Sequence, residues 1–208
     1  MEQKITRTLN FDMITEALEE KGRITGRPIV YNSETDIGPF FERIAPGALD
    51  EADLRDVRLL VNHDTNRIPL ARSRRNNENS TMQLLPVVEG MDFRADLDIE
   101  NNAEARALYS AIERGDISGM SFMFTIDADE WEGLETDKPT RTITKISKVF
   151  EISAVTFPAY EDTSISVQRS LDNAALESAR ATLESEREAR RQLELAKAKL
   201  QLMLKLER

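Results

Sequence analysis

His63 is the one imidazole in this chain, set in Asn62-His63-Asp64 at the end of an apolar run, and there is no cysteine. A lone histidine excludes sites built on two or more imidazoles. The absence of thiols excludes disulfides, a thiol nucleophile, iron–sulfur clusters and thiolate zinc sites. Imidazole is the usual general base near neutral pH, so His63 reads either as that base or as a partly buried ring with satisfied nitrogens. Ser121 lies in Ser118-Gly119-Met120-Ser121-Phe122. Strand alternation puts Met120, Phe122, Phe124 and Ile126 on one face and Gly119, Ser121, Met123 and Thr125 on the other. A serine beside a small residue and backed by an apolar face can present its hydroxyl in a cleft, or can be an ordinary polar-face serine. No helical pattern follows it, so it is not a nucleophile elbow, and Ser118 competes with it. Glu151 shares a face, by the same alternation, with Val149, Ser153, Val155 and Phe157. A carboxylate among apolar neighbours needs a partner, and a histidine N–H would serve; that pairing is what orients a catalytic base. The other reading is an edge-strand glutamate facing water.

The remaining charged clusters point to less. Asp92, Asp96, Asp98 and Glu100 alternate along one strand and read as a solvated face rather than a metal site. Arg72-Ser73-Arg74-Arg75 is a short basic cluster, either solvated loop charge or a contact for an acidic partner segment. There is no phosphate-cradling glycine loop and no dinucleotide fingerprint, so neither cofactor nor metal is expected.

The elements that must position these residues are mostly strands. Residues 23–31 (RITGRPIVY) carry a strand pattern. In residues 57–63 (VRLLVNH) the two-residue period places Val57, Leu59, Val61 and His63 on one face. Residues 81–88 and 91–99 flank Glu89-Gly90 as a hairpin, and Met91, Phe93, Ala95, Leu97 and Ile99 form its buried side. A helix over 103–114 takes its cap from Asn101 or Asn102, its apolar stripe from Ala105, Leu108, Tyr109 and Ile112, and its stop from Gly115. Residues 119–126 and 144–157 are further strands, the second ended by Pro158. The fold class is α+β, mainly β, with helices packed on a sheet or barrel.

Composition changes near residue 170. Residues 171–208 contain no glycine, proline or aromatic residue and are rich in Ala, Leu, Glu, Arg and Lys. This reads as one long helix following a body of residues 1–170. Leu176, Leu183, Leu193, Leu200 and Leu204 make a partial heptad broken by Arg190 and Lys197, so the segment either pairs with a partner or is a solvated tail. The formal net charge of −10 argues against general affinity for nucleic acid or anionic lipid. The longest run free of charge, residues 117–126, is ten residues, against about 20 needed to cross a bilayer. The first twenty residues have no apolar core, so no secretory signal and a cytosolic setting are expected.

Five of these segments, in this order, resemble the bacteriophage prohead maturation proteases of the HK97 type. They are residues 26–32 (GRPIVYN), 41–49 (FERIAPGAL), 57–64 (VRLLVNHD), 115–124 (GDISGMSFMF) and 150–160 (FEISAVTFPAY), and the resemblance covers roughly residues 5–170. Two positions depart from the pattern: Ala71 stands where glycine is usual between Leu70 and Arg72, and Met123 where glycine often follows the Ser-Phe pair. The resemblance implies a serine endopeptidase with a fold similar to herpesvirus assemblins, a small β-barrel with surrounding helices. It implies Ser121 as nucleophile and His63 as base. Assemblins use a second histidine as third member; this chain has none, and Glu151 is the residue placed there. The implied substrates are the major capsid protein and its scaffolding segment, cut inside the prohead in the host cytoplasm. Self-cleavage of the helical tail and a homodimer or higher self-association are further expectations. The competing expectation is a non-catalytic scaffolding or capsid-assembly protein acting through its C-terminal helix.

Overall fold

The computed structural model describes residues 4–9, 14–15, 22–156 and 162–206. In chain order the strands are β1 (Lys4–Leu9), β2 (Ile14–Thr15), β3 (Arg23–Val30), β4 (Thr35–Asp36), β5 (Phe41–Ile44), β6 (Arg58–Val61), β7 (Ala71–Arg72), β8 (Met82–Val87) and β9 (Gly90–Asp96). Helix α1 (Ala103–Glu113) follows, then the long strands β10 (Gly119–Glu132) and β11 (Thr140–Val155), then helix α2 (Asp162–Leu206).

The molecule is α+β and mainly β, as the hydrophobic patterning requires. One sheet runs β1-β10-β11-β5-β4, with β6 also paired to β11 and β7 to β6; the other runs β2-β3-β9-β8. Neither closes into a barrel among the described residues, and this corrects the barrel expectation. The cause lies in the pairings: the first sheet's path ends at β1 and β4, and no described pairing joins it to the second. A single core takes side chains from both sheets and from α1, including Met91 and Phe93 of β9, Met120, Phe122 and Phe124 of β10, and Leu108 and Ile112 of α1. Burying apolar side chains in this way is the dominant favourable contribution to the fold.

The local signals act as expected at α1 and at the hairpin. The Asn102 side chain accepts from the backbone N–H groups of Glu104 and Ala105, and Ala105, Leu108, Tyr109 and Ile112 are the buried stripe. Between β8 and β9 the loop comprises Val88 and Glu89, and Gly90 opens β9 opposite Val87. A Cβ on Gly90 would lie 1.9 Å from the Ile29 carbonyl oxygen, so close strand approach, rather than the turn alone, demands glycine there.

The β10–β11 ladder departs from strict alternation. Ser121 faces Ser153 and Met123 faces Glu151, but Phe124 faces Val149, leaving Phe150 as an extra residue. This bulge moves Val149 to the core face with Ile152 and Ala154. Val149 therefore does not share the face of Glu151, contrary to simple two-residue counting. Phe157 and Pro158, read as the end of this strand, lie outside the described residues.

Helix α2 begins upstream of the compositional change at residue 171. The stretch from Asp172 to Arg180 docks on the body: Asp172 and Leu176 are buried, and Arg180 donates from Nε to the Leu134 carbonyl at 3.1 Å. Farther along, Leu193 and Leu195 are exposed. No helix among the described residues is long and apolar enough to cross a membrane.

Candidate active site

β6 ends at Val61, and the next two residues leave the extended region: Asn62 has φ 49° and His63 φ 57°. The Asp64 N–H closes this turn onto the Val61 carbonyl at 3.1 Å. Asparagine tolerates the left-handed region well and histidine less so, so surrounding contacts must hold the turn. They do. The Asn62 N–H donates to the Ala154 carbonyl at 2.9 Å, and its side-chain oxygen accepts the Thr156 N–H at 3.0 Å. The turn also explains why alternation fails for His63: the ring does not continue the Val57–Leu59 core face but swings over β11.

There it meets Glu151. His63 Nδ1 lies 2.6 Å from Glu151 Oε1, and the carboxylate is almost wholly buried while the ring is 27% exposed. An ionised carboxylate only accepts, so a hydrogen bond to it requires the proton to sit on Nδ1. The edge-strand reading of Glu151 is thereby set aside. β11 is an interior strand at this point, with β10 on one side and β6 on the other.

Ser153, a residue sequence reasoning passed over as a candidate, completes the local bonding. Its hydroxyl donates to Glu151 Oε2 at 2.5 Å and accepts the His63 backbone N–H at 3.2 Å. The signal available in the sequence was its position two residues beyond Glu151 on the same strand face.

Ser121 sits directly across the ladder from Ser153. Such opposed residues share a face, with Cβ atoms about 5 Å apart. The hydroxyl of Ser121 is fully buried and donates to the Arg7 carbonyl of β1 at 2.9 Å. The structure thus brings His63 and Glu151 into direct contact and places Ser121 one strand away, on β10 between β1 and β11. Ser118, the competing serine, is exposed immediately before β10.

β1 is held beside β10 by its antiparallel ladder, and a buried charge cluster adds to this. The Arg7 guanidinium is buried and paired with Glu42 of β5 and with Asp172 of α2, the latter at 3.0 Å. Burial works against its charged form, but Glu42 and Asp172 outweigh it and hold Arg7 above its ordinary pKa. Arg141 extends the cluster, reaching Glu42 at 3.5 Å and Asp129 at 2.5 Å.

A groove of about 480 Å³ opens beside the His63 turn, between β6 and α1. Leu60, Ile68, Leu70, Leu108 and Ile117 line it, with Asn62 and Asp64 from either side of His63. Of the acids along β9 and the residues after it, Asp92 is paired with Arg27 and Asp96 with Arg23, and Asp98 caps the Asn101 N–H. In the basic cluster, Arg72 pairs with Asp56, and Ser73 is buried, its hydroxyl donating to the Leu54 carbonyl.

This arrangement suits acyl transfer: an oriented imidazole, a buried acid behind it, and a hydroxyl on the same sheet face. Residues 11–177 match the family model described as caudovirus prohead serine protease. The prohead protease of Enterobacteria phage HK97 is 27% identical over 175 residues, covering 81% of this chain and 71% of that protein. No solved structure matches the chain.

Proposed function

The chain belongs to the caudovirus prohead serine protease family, and on that premise we propose that Ser121 is the nucleophile, His63 its general base and Glu151 the acid that orients the base. The observation carrying this reading is the 2.6 Å contact between His63 Nδ1 and Glu151, made on the sheet face where Ser121 stands. The Ser121 oxygen attacks the scissile carbonyl while Nε2 takes its proton, giving a tetrahedral adduct. The adduct collapses to an acyl-serine as Nε2 returns the proton to the leaving amine. Water, deprotonated by the same nitrogen, then hydrolyses the ester and restores the hydroxyl. Glu151 keeps the proton on Nδ1 and stabilises the imidazolium formed in both halves.

The substrates are assembly proteins of the phage prohead: the major capsid protein, its scaffolding segment, and the α2 segment of the enzyme itself. Cutting takes place inside the prohead during assembly in the host. The apolar groove beside His63 gives an extended peptide a wall to lie against. Ser121 is buried and its hydroxyl also contacts the Arg7 carbonyl, so on this reading a peptide reaches it only after a local rearrangement. Cleavage requires β1 to leave the serine, and self-association within the shell supplies that change.

Exposure favours Ser118 as the alternative nucleophile, and substitution separates the two. With the capsid protein co-expressed, Ser121→Ala is expected to abolish trimming and fluorophosphonate labelling, whereas Ser118→Ala retains both. Trimming to the same length by Ser121→Ala, or its loss in Ser118→Ala alone, overturns the assignment.

A further inference from the structure

We propose that Ser153 is a positioning residue that sets the basicity of the His63–Glu151 pair; this rests on the reading of that pair as the catalytic base and its orienting acid. Two contacts meet at its hydroxyl, and a ladder pairing places it beside Ser121. The oxygen accepts the backbone N–H of His63, its proton goes to Glu151 Oε2, and its Cα stands across the ladder from Ser121. Ser153 is fully buried, so water cannot replace it without rearrangement.

Each contact has a distinct effect. A carboxylate receiving a hydroxyl proton at Oε2 carries less charge for the imidazolium at Oε1, because hydrogen bonding to the charged form makes it a weaker base. The bond from His63 N–H anchors a residue held at positive φ, where the backbone has no helix or ladder partner to fix it. Ser153 therefore does two things to one ring: it fixes the ring's position through the backbone, and it tempers the acid behind the ring. Ser121 stands on the neighbouring strand β10, and His63 follows β6 on the other side, so hydroxyl, acid and base share one sheet as their support.

The carboxylate has a second acceptor site at Oε2 that needs satisfying in a dry environment, and a strand offers few ways to do so. A backbone N–H of β11 is committed to the ladders with β10 and β6, since β11 is paired on both sides over residues 151–154. The side chain two positions along the same face is the nearest group able to donate. A serine at that position is the smallest residue that meets the need and still leaves room for the residue across the ladder.

The test uses the full chain carrying 15N-labelled histidine. His63 is the only histidine, so the imidazole gives a single set of signals whose titration is read directly. Ser153→Ala is expected to raise the titration midpoint by about half a pH unit. It should move the acid limb of the pH–kcat profile upward by a similar amount, with kcat reduced about tenfold at neutral pH and KM little changed. Ser153→Thr, which keeps the hydroxyl, is expected to return the midpoint toward that of the unsubstituted chain even if packing lowers the rate. Glu151→Gln combined with Ser153→Ala should leave no further change in the midpoint beyond that of Glu151→Gln alone. A Ser153→Ala midpoint and acid limb that do not move overturn the proposal, as does a fall in kcat without either shift, which marks a purely structural residue. The titration is independent of turnover: were Ser121→Ala to remain active, the nucleophile assignment would fail while the coupling of Ser153 to His63 would still be read.

Discussion

Replacing Glu151 by glutamine changes one atom type at the centre of the site and keeps its shape. On the proposed mechanism the imidazolium formed during acyl transfer faces a carboxylate 2.6 Å away, with the acid nearly buried and the ring 27% exposed. At an effective dielectric constant of about 20, unit charges at that separation interact by about 6 kcal/mol. Exposure of the ring reduces this, and an amide oxygen would recover part as a neutral hydrogen bond. A second effect adds to the loss. Ser153 donates to the Oε2 position, which favours the amide oxygen there and turns the amide NH2 toward Nδ1. Nδ1 then becomes an acceptor, the proton moves to Nε2, and the nitrogen that should receive the serine proton is occupied. Together these predict a fall in kcat of about 1,000- to 10,000-fold, the scale at which mis-set tautomers act in serine proteases. The assay is single-turnover cleavage of a peptide spanning a natural cut site, beside fluorophosphonate labelling and a thermal melt to verify folding. A folded Glu151→Gln protein retaining more than about a tenth of the unsubstituted rate refutes the reasoning, since no oriented charge pair would then be needed.

Two other perturbations test the frame. Arg7→Met leaves the buried Glu42 and Asp172 facing an apolar chain; loss of one partner from such a cluster costs about 3–5 kcal/mol, a drop in melting temperature of about 10 °C for a chain of this size. A melt within a degree or two of the unsubstituted protein would show that the cluster is not holding β1. Asp53 is held below its ordinary value of 3.8 by hydrogen bonds from Arg55 and Lys148, so its contribution is present above the unfolded carboxylate range and is lost as pH falls through it. The difference in urea midpoint between the unsubstituted chain and Asp53→Asn should therefore be larger at pH 7 than at pH 3, and a difference constant with pH contradicts it.

What could be read from residue patterns alone divides along physical lines. Local chemistry was legible: Asn102 as a cap, the stripe from Ala105 to Ile112, and the hairpin around Gly90 are decided by neighbours a few residues away. The His63–Glu151 pairing was legible for another reason, since a carboxylate on an apolar strand has few ways to be satisfied. Four features were not. The bulge at Phe150 inverts the face of Val149, and nothing in VFEIS announces an inserted residue because both sides of the strand are apolar there. The left-handed turn at Asn62 and His63 is sustained by Ala154 and Thr156, some 90 positions away in the chain, so no window of sequence contains its cause. Ser153 looked like an ordinary strand serine, and only the direction of its hydroxyl distinguishes it. Burial of Arg7 likewise runs against the expectation for its type and becomes intelligible once Glu42 and Asp172 are seen beside it.

The Arg7–Asp172 contact also has a temporal consequence, because its partners are 165 positions apart in the chain. Arg7 is synthesised 165 positions ahead of Asp172 and cannot acquire that carboxylate until α2 has begun to leave the ribosome. Until then Arg7 has Glu42 but not Asp172 beside it. The final seating of β1, the neighbour of β10 in the sheet, thus waits on a helix made much later.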